Sequence, residues 1–102
     1  MLELRPNCEC CDKDLPPHST EAFICSYECT FCADCVAQPL NNVCPNCGGG
    51  FAPRPIRPQI AHREGICIKY QKPSTKRVYT PYKRYEITSF TKTLKDLKPE
   101  QR

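Results

Sequence analysis

Nine of the ten cysteines in this 102-residue chain lie before residue 48. Eight of those nine form four closely spaced pairs, and the remainder of the chain is rich in lysine and arginine. Together these observations predict a small zinc-stabilised domain with two four-cysteine sites, followed by a basic tail.

Size makes such a staple necessary. Only 39% of residues are hydrophobic, there is no Trp, and eleven residues are Pro. A chain this short buries too little apolar surface to offset its conformational entropy comfortably. Disulfides and metal are the two candidate staples, and the compartment decides between them. The opening Met1-Leu2-Glu3-Leu4-Arg5-Pro6 carries charge and no apolar run of signal-peptide length. No stretch approaches the roughly 18 apolar residues of a membrane span. The expectation is a cytoplasmic protein with no membrane partner, where thiols stay reduced and ligate metal.

Charge divides the chain. Residues 1–59 hold four basic and seven acidic side chains, a balance of −3, and residues 60–102 hold eleven and four, a balance of +7. The change falls within Gly48-Gly49-Gly50-Phe51-Ala52-Pro53-Arg54-Pro55-Ile56-Arg57-Pro58, flexible glycines followed by an extended, polyproline-like connector. The expected organisation is a zinc-binding domain over 1–47, a Gly/Pro-rich linker over 48–59 and a basic tail over 60–102.

The elements follow in chain order. Residues 1–24 are turn-rich, with Asp14-Leu15-Pro16-Pro17 blocking helix. Ala22 to Cys25 suits a short strand, and Phe31 to Gln38 one or two helical turns ended before Pro39. In the tail, Gly65 to Gln71 and Lys76 to Phe90 are rich in Ile, Val, Tyr and Thr. Separated by Pro73-Ser74-Thr75, they suggest a β-hairpin, with Pro81 confining its strand to an edge. Thr93 to Leu97 suits a short terminal helix.

Three cysteine pairs have two residues between them: Cys8/Cys11, Cys32/Cys35 and Cys44/Cys47. The fourth, Cys25/Cys29, is one residue wider. Such spacing lets a tight turn aim both sulfurs at one ion while backbone N–H groups relieve their charge. Pro45, Asn46 and Gly48 are the residues that turn prefers. Eight thiolates fill two closed tetrahedral sites, which are structural, since a catalytic zinc keeps a position open for water. Buried apolar cysteines do not account for four regular pairs, and a redox pair accounts for one but not four. The pairs can combine sequentially, first with second and third with fourth, or interleaved, first with third and second with fourth.

The order of these eight cysteines resembles the RING finger. Phe31 before the fifth ligand, Val36 after the sixth and the closing Cys44-Pro45-Asn46-Cys47 add to the likeness. That resemblance implies an interleaved cross-brace, with Cys8, Cys11, Cys32 and Cys35 on one zinc and Cys25, Cys29, Cys44 and Cys47 on the other. Three departures bear on function. The fourth ligand is Cys29 rather than the usual His. Glu9 and Cys10 occupy the place of an apolar contact for a ubiquitin-conjugating enzyme, and Gly48 that of a basic residue after the last ligand. The likeness therefore implies the scaffold and disfavours a ubiquitin-ligase-like adaptor. The stretch Leu2 to Cys11, with Cys29-Thr30-Phe31-Cys32-Ala33-Asp34-Cys35 and Cys44-Pro45-Asn46-Cys47-Gly48-Gly49, is similar to a narrower bacterial cysteine-rich family, domain of unknown function 1272. That similarity spans residues 1–58 and implies no activity.

Four residues remain. Cys10 is an alternate ligand that could replace Cys8 or Cys11, and Cys67 reads as a packed strand residue. His18 and His62 read as surface residues. In the tail, Lys69-Tyr70-Gln71-Lys72, Lys76-Arg77-Val78-Tyr79 and Tyr82-Lys83-Arg84-Tyr85 interleave cations with aromatics. That pattern suits either a solvated hairpin face or contact with nucleic acid. No Ser/His/Asp set, phosphate loop or carboxylate pair appears in a recognisable context. The expectation is a non-catalytic zinc module for an unidentified protein partner, with nucleic-acid binding through 60–102 as the alternative.

Overall fold

The computed structural model describes all residues, 1–102. Strand β1 (Ala22–Ile24) pairs antiparallel with β2 (Thr30–Cys32), and β3 (Ala52–Pro53) joins the other edge of β1, giving the order β2-β1-β3. Phe23 stands opposite Phe31 in one ladder and Pro53 in the other. Pro53 is tolerated because β3 is an edge, where one missing N–H breaks no ladder. Strand β2 runs directly into helix α1 (Ala33–Ala37), which ends at Gln38 before Pro39 as a pre-proline residue must favour extended backbone. The short strand matches expectation, while the helix expected from Phe31 begins only at Ala33, because Phe31 and Cys32 are taken up in the ladder with β1.

Eleven buried residues form the core, and six are cysteines: Cys8, Cys25, Cys29, Cys32, Cys35 and Cys44. Hydrocarbon comes from Leu15, Ala22, Phe31, Leu40 and Ile87. Phe51 meets Phe31 edge to face, ring centroids 5.3 Å apart. Sulfur thus occupies the place where a larger domain would put leucine.

The tail departs from expectation. No hairpin forms between 65 and 90; residues 72–80 carry no regular secondary structure, and helix α2 (Arg84–Leu94) follows, then a short 3-10 turn at Pro99–Gln101. Strand-favouring composition suggested the hairpin, but β propensity mostly reports how a side chain packs. Here Ile87, Thr91 and Leu94 recur at helical spacing, and Ile87 is 2% exposed within the cysteine core. The Lys83 N–H donates to Glu86 Oε1 at 3.1 Å, closing the helix start.

Before α2 the tail is strapped along the N-terminal loops. The Ser74 N–H donates to the Leu4 carbonyl, Val78 exchanges two hydrogen bonds with the Asn7 side chain, and the Thr80 N–H donates to the Glu9 carbonyl at 2.8 Å. Arg77 bonds Asp12 and Asp14, each at 2.7 Å. The connector is anchored too. Arg54, 4% exposed, donates to the carbonyls of Arg5, Leu15 and Pro16, and Arg57 to those of Leu2 and Gln71. The glycines expected to be flexible are a seat for the C-terminus. A β-carbon on Gly50 would come within 2.7 Å of Pro99 Cγ.

Candidate metal centre

Two turns present cysteines in the same way. In the first, the Cys8 N–H donates to the Lys13 carbonyl and the Asp12 N–H to the Cys8 carbonyl; in the second, the Cys44 N–H donates to the Gly49 carbonyl and the Gly48 N–H to the Cys44 carbonyl. The residue four after the first cysteine is left-handed in both, Asp12 at φ 66° and Gly48 at φ 81°. The wider Cys25/Cys29 turn places that conformation at Glu28, φ 67°, with the Glu28 N–H on the Cys25 carbonyl. Cys32 and Cys35 instead sit at the junction of β2 and α1 and in its first turn.

These elements gather the sulfurs into two groups. The Sγ atoms of Cys8, Cys11, Cys32 and Cys35 all lie within 4.8 Å of one another, and those of Cys25, Cys44 and Cys47 likewise. The Cys29 sulfur does not lie within that distance of all three, but Cys29 is buried in the same core, and its N-terminal turn partner Cys25 belongs to the second group. Cys11 and Cys32 are 3.7 Å apart. Four sulfurs at about 2.3 Å from a tetrahedral ion stand about 3.8 Å from each other. The Cys11–Cys32 pair is already at the span a thiolate-bound metal requires, with the other sulfurs of its group within 4.8 Å.

The electrostatics agree with that span. Burial pushes the Cys8 and Cys25 thiols up to about 11, even though nearby backbone N–H groups favour their ionised forms. Burial likewise raises Cys35, and the hydrogen bond with Cys29 raises Cys44 while Cys29 is lowered to about 5. Burial opposes ionisation of Cys8, Cys25 and Cys35, so thiolates gathered at these positions need a compensating cation. Donors for sulfur are in place, with the Tyr27 N–H 3.3 Å from Cys25 Sγ and the Gly49 N–H 3.4 Å from Cys47 Sγ.

The other candidates fall outside both groups. Cys10 is half-buried against the core but joins neither, and Cys67 is buried where the Gln71 side chain closes its own loop. His18 and His62 are exposed and join neither group.

Sequence reasoning missed the residues that tie the groups together. Glu9, between Cys8 and Cys10, is 2% exposed. Its carboxylate accepts from the Arg5 guanidinium at 2.7 Å, from the Thr30 N–H at 2.6 Å and from Asn46 at 3.5 Å. Thr30 follows Cys29, and Asn46 lies between Cys44 and Cys47. One acid rooted in the first group thus holds backbone and side chain of the second. Burial lifts the Glu9 carboxyl above its ordinary range despite these donors. A glutamate between two cysteines gave no warning of this, because its partners are 21 and 37 residues away.

No solved structure matches this chain. An uncharacterized protein of Rhizobium meliloti (strain 1021) is 53% identical to it over 81 residues, covering 79% of this chain and 89% of that protein. The family described as "Protein of unknown function (DUF1272)" matches residues 1–57, which include both cysteine groups. The chain belongs to the DUF1272 family.

Proposed function

We propose that the chain binds two zinc ions in an interleaved, RING-like cross-brace and acts as a non-catalytic module for protein–protein interaction. Cys8, Cys11, Cys32 and Cys35 hold one ion; Cys25, Cys29, Cys44 and Cys47 hold the other. The grouping of the sulfurs supports this reading, the first pair lying with the third and Cys25 of the second pair with the fourth. An all-thiolate, borderline-soft tetrahedral set suits Zn²⁺ above other common divalent ions. Once bound, zinc supplies the cohesion that the small hydrocarbon core lacks. Ten free thiols fit a reducing compartment, for which we propose the cytoplasm. No helix is long and apolar enough to cross a membrane. Native mass spectrometry tests the stoichiometry, and anomalous density at the zinc edge tests the pairing. Sequential pairing, or one ion per chain, would overturn this reading.

A ubiquitin-ligase-like role is disfavoured. Glu9 is buried and paired with Arg5, and Gly48 lies beneath Phe90 and Leu94 of α2. The protein is expected not to accelerate discharge of charged conjugating enzymes. Zinc-dependent acceleration lost on Cys44→Ser would reverse that.

A second reading, nucleic-acid binding through residues 60–102, is favoured by how charge is spent. Of the seven acids in residues 1–59, five are in ion pairs, and these use only Arg5, Lys13 and Arg77. Nine of the tail's eleven cations, all but Arg77 and Arg102, are exposed and have no ion-pair partner. Uncompensated cations of this kind attract phosphate backbones.

A further inference from the structure

We propose that the groove between α2 and the Cys44–Cys47 turn is a binding site for single-stranded nucleic acid. The proposal rests on the second reading above and names its surface. The groove has a volume of about 590 Å³. Its walls are Pro45 and Asn46 from the cysteine turn, Tyr82, and a stripe of α2 that includes Tyr85, Phe90 and Thr93. That volume lies within the roughly 300–1,000 Å³ typical of ligand clefts.

The lining matches the chemistry of a single strand. Tyr82, Tyr85 and Phe90 are 43%, 71% and 40% exposed, an unusual concentration of uncovered rings for a chain with so little apolar surface to spend. Exposed rings offer flat faces on which unpaired bases stack, and duplex bases cannot reach such a surface. Lys83 and Arg84 stand between the two tyrosines in the chain, both exposed and without an ion-pair partner. Lys92 lies seven residues after Tyr85, so helical spacing puts it on the same side of α2 as the groove's outer wall. None of the three lines the groove itself. Lys83 adjoins Tyr82 in the chain and Lys92 shares Tyr85's side of α2, so these two are the cations placed to meet phosphates of a strand whose bases enter the groove. Arg84, one residue from Tyr85, is turned away from it by the roughly 100° that each residue of helix adds. Thr93 and the Asn46 amide add hydrogen-bonding groups for base edges. Glu86 is the one acid in the lining, and its Oε1 already accepts from the Lys83 N–H.

The site also explains why the groove sits beside the second cysteine group. Pro45 and Asn46 are held by that turn, and Tyr85 and Phe90 by docking of Ile87 in the cysteine core. Both walls are therefore positioned by the same sulfur-rich centre.

Fluorescence anisotropy on the intact, zinc-loaded protein tests this, using a short labelled single-stranded DNA, the equivalent RNA and the matching duplex. The single strands are expected to bind more tightly than the duplex. Replacing Tyr82→Ala and Tyr85→Ala together should weaken binding by between about five- and 150-fold for each base unstacked. Tyr82→Phe with Tyr85→Phe should bind like the unaltered protein, since phenylalanine still stacks. Zinc content and circular dichroism verify that each variant is folded. Lys83→Ala with Lys92→Ala should reduce the log–log salt slope by about 1.4, for two lost phosphate contacts on a single strand. If the tyrosine-to-alanine pair binds normally while Lys69→Ala, Lys72→Ala and Lys76→Ala together weaken binding, the groove is wrong and the electrostatic reading survives. Tighter binding to duplex also overturns the groove. No binding to any probe at about 50 mM salt overturns both.

Discussion

Leu94 of α2 lies so close over Gly48 that a β-carbon there would stand 3.1 Å from its Cδ1, and Gly48 itself is left-handed at φ 81°. The glycine thus serves the cysteine turn and the helix above it at once. Gly48→Val is expected to cost about 1–2 kcal/mol for the backbone conformation and about 1–3 kcal/mol more for overpacking. Thermal unfolding should report the loss, and amides of α2 should exchange faster. An unchanged melting temperature would show that α2 is not seated there.

Metal and tail are expected to be coupled. Asn7, Glu9 and Asp12, which anchor residues 77–80, are interleaved with Cys8 and Cys11. Structural zinc in such sites supplies on the order of 10–16 kcal/mol of apparent binding energy, more than this core provides. Chelation should unfold residues 1–47 and strip hydrogen-exchange protection from the Val78 and Thr80 amides in the same step. Protection that persists after verified zinc removal would separate the two.

The fourth ligand of the second site can be assigned by metal content. Cys29→Ser should lower zinc from two ions per chain to one, or weaken the second ion enough for a mild chelator to take it. Cys10→Ser should keep both ions, because Cys10 joins neither sulfur group. Loss of an ion from Cys10→Ser would make Cys10 the true ligand in place of Cys8 or Cys11.

Glu9→Ala is expected to destabilise the fold by about 3 kcal/mol. The substitution leaves the Thr30 N–H and the partly buried Arg5 guanidinium without their shared acceptor. Glu9→Gln retains an acceptor for Thr30 and should cost less. Equal stability of all three proteins in urea would remove Glu9 from its bridging role.

Ile87→Ala removes the one side chain of α2 that enters the cysteine core. The expected cost is about 2–4 kcal/mol, the usual range for a buried aliphatic truncation. A smaller effect, within about 0.5 kcal/mol, would mean that α2 contributes little to the fold.

By itself the sequence determined what local spacing can determine. Two or three residues between cysteines dictate tight turns that aim paired sulfurs, and Pro39 ends α1 wherever that helix packs. The strand at Ala22 and the helix after Phe31 were legible for the same reason, since each is flanked by ligands or prolines that restrict its backbone. Only the tertiary structure decided which pairs meet, because that depends on the β1–β2 hairpin folding Cys32 and Cys35 back beside Cys8 and Cys11. It also decided that residues 84–94 are helix. Their Ile, Tyr and Thr favour strands in isolation, and burial of Ile87 against sulfur outweighs that local preference. Glu9 and Gly48 show the same limit most plainly: one needed a strand N–H 21 residues on and an asparagine 37 residues on, the other a leucine 46 residues on, and contacts at that range leave no periodic trace in a sequence.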